Sequence, residues 1–185
     1  MNKADIIRQA SSLLGKGQVN QTSSSGPLGA ALNDAYDRVL PAVLEADDWR
    51  FAAATQELNR LEHTSNIKRW QYVYQLPANY LRINKMIPDL MDYDIQENHL
   101  YCNASKLAIE FRFLVDPSKF SATFTDFFVY KLACEASPIA LAKPEYASWL
   151  QQQADKKYLK ALASNGQSIP PREIVDNPFI TAGYW

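Results

Sequence analysis

The sequence predicts an α+β fold: a helical bundle formed from the N- and C-terminal helices, a small antiparallel β-sheet inserted between them, and an extended C-terminal arm. Three observations lead there. Apolar residues recur at helical spacing towards both ends, alternate with polar ones through the middle, and lose both periods in a proline-rich finish. Helices, then a block of strands, then helices is the order of an α+β domain.

Ile6, Ile7, Ala10, Leu13 and Leu14 mark a first amphipathic helix over about 3–14. The stretch GKGQVNQTSSSGPLG that follows is a loop by composition. Its Gly-Lys pair lacks the spacing of a phosphate-binding loop, which needs Gly, four residues, then Gly-Lys-Ser/Thr. Leu28, Leu32, Ala35, Tyr36, Val39, Val43 and Ala46 share one face of a second helix over about 28–47. Pro41 lies inside it and is expected to kink or split it.

The β-rich insertion covers about 49–115. In RWQYVYQLP, the rings of Trp70, Tyr72 and Tyr74 alternate with Arg69, Gln71 and Gln75, as in a half-buried strand closed by Pro77. YDIQENHLYCN reads as a hairpin. With Glu97-Asn98 as a two-residue turn, Ile95 faces Leu100 and Tyr93 faces Cys102. In KLAIEFRFLVD, Leu107, Ile109, Phe111, Phe113 and Val115 share one face, leaving Glu110 and Arg112 on a wet one.

Asp116-Pro117 reads as the cap of a helix over about 118–136, apolar on nearly every side and therefore destined for the core centre or a subunit interface. Ser137-Pro138 is expected to break or bend it. The last helix covers about 144–163, with Tyr146, Trp149, Leu150, Tyr158, Leu159 and Leu162 on its apolar side and Asn165-Gly166 as its stop. Residues 1–163 thus make a single domain and 164–185 the arm.

Composition narrows the function classes. With 19 basic and 20 acidic side chains among 185 residues, the chain has no excess positive charge for a broad nucleic-acid-binding face. No apolar run reaches membrane-spanning length. The first residues are too polar for a signal peptide, so Cys102 and Cys134 are expected as reduced thiols in a cytoplasm. In that compartment the sequons at Asn20 and Asn103 carry no sugar.

Candidate chemistry is sparse. His63 and His99 fall in polar turns without a nucleophile or a paired ligand, so neither a catalytic triad nor a zinc site is expected. Asp47-Asp48, Asp92, Asp94 and Glu110 are the carboxylates a glycosidase would draw on, but no neighbour marks one as an acid of raised pKa. Trp70, Tyr72 and Tyr74 suit a stacking platform for sugars or bases, or equally a face packed on the bundle. The expectation is a protein that is not an enzyme and needs no cofactor or metal, with a glycan- or cell-wall-degrading enzyme as the alternative.

The order of features resembles the head-to-tail adaptors of short-tailed bacteriophages, the tail tubular protein A family. The resemblance is carried by ALNDAYDRVLPAVLEADDWRFAAATQEL, WQYVYQLPANYLRI, YDIQENHLYCN and FRFLVDPSKFSATFTDFFVYKLACEASPIAL, over roughly residues 30–163. It implies a structural virion protein, assembled in the host cytoplasm and located at the head–tail interface. Such proteins form a dodecameric ring beneath the capsid portal, with the tail nozzle protein attached below. A flexible segment that orders only on a formed portal would keep the chain from assembling early, so the free protein is expected to be a monomer. Double-stranded DNA passes through the channel without specific binding, and no membrane is involved.

The final PPREIVDNPFITAGYW supplies the expected partner-binding residues: Arg172, Ile174, Phe179, Tyr184 and Trp185. Fully extended, residues 164–185 span roughly 70 Å, against a radius of gyration of about 15 Å for the folded body. Pro170, Pro171 and Pro178 lower the entropy lost on docking, and aromatic anchors dominate interface energetics. The arm is expected to grip the portal or a neighbouring subunit.

Overall fold

The computed structural model describes residues 1–15, 26–61, 69–89, 92–140 and 143–167. Within them run α1 (Lys3–Leu13), α2 (Pro27–Ala46), β1 (Ala53–Glu57), β2 (Tyr72–Gln75), β3 (Tyr80–Ile87), β4 (Tyr93–Gln96), β5 (His99–Cys102), β6 (Ala108–Phe113), α3 (Ala122–Ala136) and α4 (Pro144–Gln167). The α+β architecture expected from the sequence is the one observed.

Each helix begins on a local signal. In α1, Asn2 and Asp5 form a reciprocal capping box, which satisfies two otherwise orphaned N–H groups. Pro27 opens α2 after Gly26, where its missing N–H costs nothing. The helix then continues through Pro41, where a kink or split was expected, and remains one element to Ala46. Proline removes the bond to the residue four positions back. That residue, Asp37, is exposed, so the affected turn lies on the side that water reaches.

The third helix starts later than expected. Asp116 caps a short 3-10 turn over Pro117–Lys119, its side chain accepting from the Ser118 N–H. The α-helix begins only at Ala122, where Ser121 Oγ accepts from the Phe124 N–H at 3.2 Å. The last helix runs to Gln167, so residues 164–167 belong to it and not to the arm.

α3 is the axis of the bundle, with α1, α2 and α4 all packed against it. Phe124, Phe128, Leu132 and Ala133 are fully buried there. Trp49, just after α2, meets Phe124 edge-on with ring centroids 4.8 Å apart, and its Nε1 donates to the Val43 carbonyl at 2.9 Å. Burial of such a side chain contributes about 2–3 kcal/mol. The all-round apolarity of α3 is therefore accounted for by one chain's own core. It does not call for a subunit interface.

The β insertion is two three-stranded antiparallel sheets, not one: β1-β6-β3 and β2-β5-β4. They share a second core that includes Leu58, Tyr74, Met86, Leu100, Cys102, Ile109 and Phe111. Phe113, at the end of β6, packs against both cores and so joins the sheets to the bundle. The hairpin has the expected register, with Ile95 opposite Leu100 and Tyr93 opposite Cys102. Glu97 takes a φ of 55° in its turn. Along β2 and the residues leading into it, Trp70 and Tyr74 are buried and Tyr72 half-buried while Arg69 and Gln71 are exposed, as expected; Val73, on the opposite face, is buried as well.

Candidate functional site

Arg172, Ile174, Phe179, Tyr184 and Trp185 lie outside the described residues, as does His63. His99 opens β5 rather than sitting in a turn, and is half-buried. The carboxylates considered for hydrolysis are dispersed: Asp47 and Asp48 follow α2, and the others lie at two different sheets. Asp92, before β4, pairs with Arg69 at 3.1 Å, and Asp94 accepts from Gln96 at 3.0 Å. Glu110 lies in the other sheet, between Thr55 and Lys85 in the ladder.

The aromatic strand does not present three open rings. Trp70 and Tyr74 are buried, Arg69 covers the Trp70 ring at 4.7 Å, and the Tyr74 hydroxyl donates to the Ala104 carbonyl at 2.7 Å. Both cysteines are free thiols. Cys102 is buried, while Cys134 is only half-buried and lies 3.1 Å from Gln151 Oε1. Among the described residues no group of three or more His, Cys, Asp or Glu could hold a metal ion, and no helix is long and apolar enough to cross a membrane.

Two features do concentrate chemistry. The first lies where α2 gives way to the sheets. Asp48 Oδ1 accepts from Arg112 at 2.8 Å, Arg82 at 2.9 Å and Asn84 at 3.4 Å. The hydrogen bond from Arg112 holds the Asp48 carboxyl below the usual range, with Arg82 adding to it. Asn165 on α4 donates to the Asp48 carbonyl at 2.8 Å. Arg112, expected on a wet face, is instead buried, and its Nε and Nη1 have no hydrogen-bond partner. This cluster ties α2, α4, β3 and β6 together.

The second feature is a groove of about 430 Å³ between α2 and α4, floored by α3. Val39, Val43, Phe127 and Ala154 make its apolar interior, and Ala42 and Ala46 keep the α2 wall low. At one end of the rim, Glu135 takes Arg38 and Lys131, each at 2.9 Å, and the bond from Lys131 chiefly holds its pKa down. At the other end, the Tyr158 hydroxyl donates to Asp47 at 2.6 Å. That bond, with burial, pushes the Tyr158 pKa up to about 12. Gln151 donates to Asp155 at 2.8 Å along the α4 wall.

Polar groups on the rim are thus engaged with one another. A small-molecule pocket holds back a few unengaged polar groups to fix its ligand, whereas this groove offers mainly apolar burial, as peptide-binding grooves do. Sequence reasoning missed it. The available signal was the small-residue pair Ala42 and Ala46, one turn apart on α2.

The apolar side of α4 also needs correction. Leu150, Ala154 and Ala161 face inward, while Tyr146, Trp149 and Leu159 are exposed, Leu159 by 65%. Tyr146 and Trp149 stack with centroids 5.4 Å apart. No protein-family model matches the chain, and no curated protein matches it.

Proposed function

We propose that the chain is a structural virion protein, a head-to-tail adaptor of a short-tailed bacteriophage. In this reading it forms a ring beneath the capsid portal, carries the tail nozzle, and surrounds the channel through which DNA leaves. The observation that carries the proposal is the ordered resemblance, whose four segments follow the element order of the fold. One runs from within α2 through Trp49 and β1, one from Trp70 through β2 into β3, one is the β4–β5 hairpin, and one leads from within β6 through α3.

The surface supports an assembling role. A ring needs two different, complementary patches on each subunit. In this reading the groove and the exposed Tyr146–Trp149 pair serve as the two patches. Arg172, Ile174, Phe179, Tyr184 and Trp185 are the proposed portal contacts. Many copies on one portal let modest single contacts add up.

Electron microscopy of the purified chain mixed with the portal encoded in the same genome tests the reading. The expected result is a ring on the portal and a monomer in its absence. A chain truncated after Gln167 should stay folded and fail to join. Absence of any complex with the full chain overturns the proposal.

A further inference from the structure

We infer that the groove between α2 and α4 is the resting site of the same chain's C-terminal segment, residues 168–185. Three observations carry this. The groove presents apolar surface while its rim polar groups pair among themselves, so it suits a peptide with apolar side chains. The segment supplies them at Ile174, Phe179, Tyr184 and Trp185, and intersperses Arg172, Glu173 and Asp176 to meet a rim of mixed charge.

Reach is the third. The α4 wall of the groove includes Tyr158, and α4 ends at Gln167. That remaining stretch of helix is about 14 Å long. Extended chain covers about 3.3 Å per residue, so roughly four residues bring it back to the groove. Those residues are Ser168, Ile169, Pro170 and Pro171, and the prolines cannot continue the helix. Tethering favours a chain's own segment over a neighbour's, since a short linker gives an effective concentration on the order of millimolar.

The docking stands on this geometry alone. Its use, keeping the arm out of circulation until a portal competes for it, rests on the adaptor reading.

Hydrogen exchange of the full chain, read by mass spectrometry alongside sedimentation, tests the inference without a portal. Peptides covering residues 174–185 should exchange about tenfold or more slowly than a synthetic peptide of the same sequence, at a sedimentation coefficient of a monomer. Ala42→Glu and Ala46→Glu, at exposed positions of the α2 wall, should each abolish the protection while leaving exchange in α3 unchanged. Unprotected exchange in the parent chain, protection that survives both substitutions, or protection that grows with concentration as dimers appear would each overturn it. An unprotected segment leaves the adaptor reading intact, and failure to join a portal leaves the docked segment intact.

Discussion

Arg112 Nη2 lies 2.8 Å from Asp48 Oδ1, a pair 64 residues apart in sequence that fastens the central strand of one sheet to the end of α2. The partners are unequal: the Arg112 side chain is 5% exposed and that of Asp48 73%. Removing the acid strands a buried guanidinium, whereas removing the arginine takes charge and need together. Asp48→Ala should therefore cost about 2–3 kcal/mol and Arg112→Met about 1 kcal/mol. Urea denaturation gives both values, and the reverse order would refute this account of the pair.

Stability should fall at both ends of the pH scale. Asp48 and Glu135 have depressed folded pKa values, so their contribution is present above their unfolded values, about 4, and is lost as pH drops through the folded ones. Tyr158 is raised to about 12, so its contribution holds below about 10 and is lost as pH climbs towards 12. Urea midpoints across pH should show Asp48→Asn making the acid limb shallower, with Glu135 left to contribute. Tyr158→Phe should make the alkaline limb shallower, with Tyr36, pushed up to about 12 chiefly by burial, left to contribute.

What the sequence made legible was local. Ile95 and Leu100 could be paired because a strand's period is two and a short turn fixes register. The fate of Arg112 could not be read that way. Alternation assigns it to the polar face, whereas its burial and its bond to Asp48, at the end of α2, arise from tertiary packing. The groove was hidden for a related reason. Periodicity counts large apolar side chains, while open space between helices is set by small ones such as Ala42, Ala46 and Ala154.

The hairpin turn carries a correctable strain. Glu97 holds a φ of 55°, a conformation that costs an L-residue about 1–2 kcal/mol and glycine little. Glycine also loses more backbone entropy on folding. Glu97→Gly should thus stabilise the protein by up to about 1 kcal/mol. A higher urea midpoint at unchanged slope is the expected readout, and a lower one would show that Glu97 makes an offsetting contact.

Hydrophobicity alone ranks Leu159 above Ala161 as a core residue of α4, and the fold reverses that order. Leu159 is 65% exposed, opposite the side packed on α3, while Ala161 is 1% exposed within the bundle core. A surface leucine has little burial to lose, so Leu159→Lys should change stability by no more than about 0.5 kcal/mol. Ala161 has no room to grow, and Ala161→Leu should cost about 1–3 kcal/mol through overpacking. Thermal melts of the two variants side by side decide the matter. If Leu159→Lys proves the more damaging, α4 is rotated from the orientation described, or Leu159 is covered by a second copy of the chain. Repeating the melts over a range of concentrations separates those two outcomes, because only the covered leucine makes stability depend on concentration.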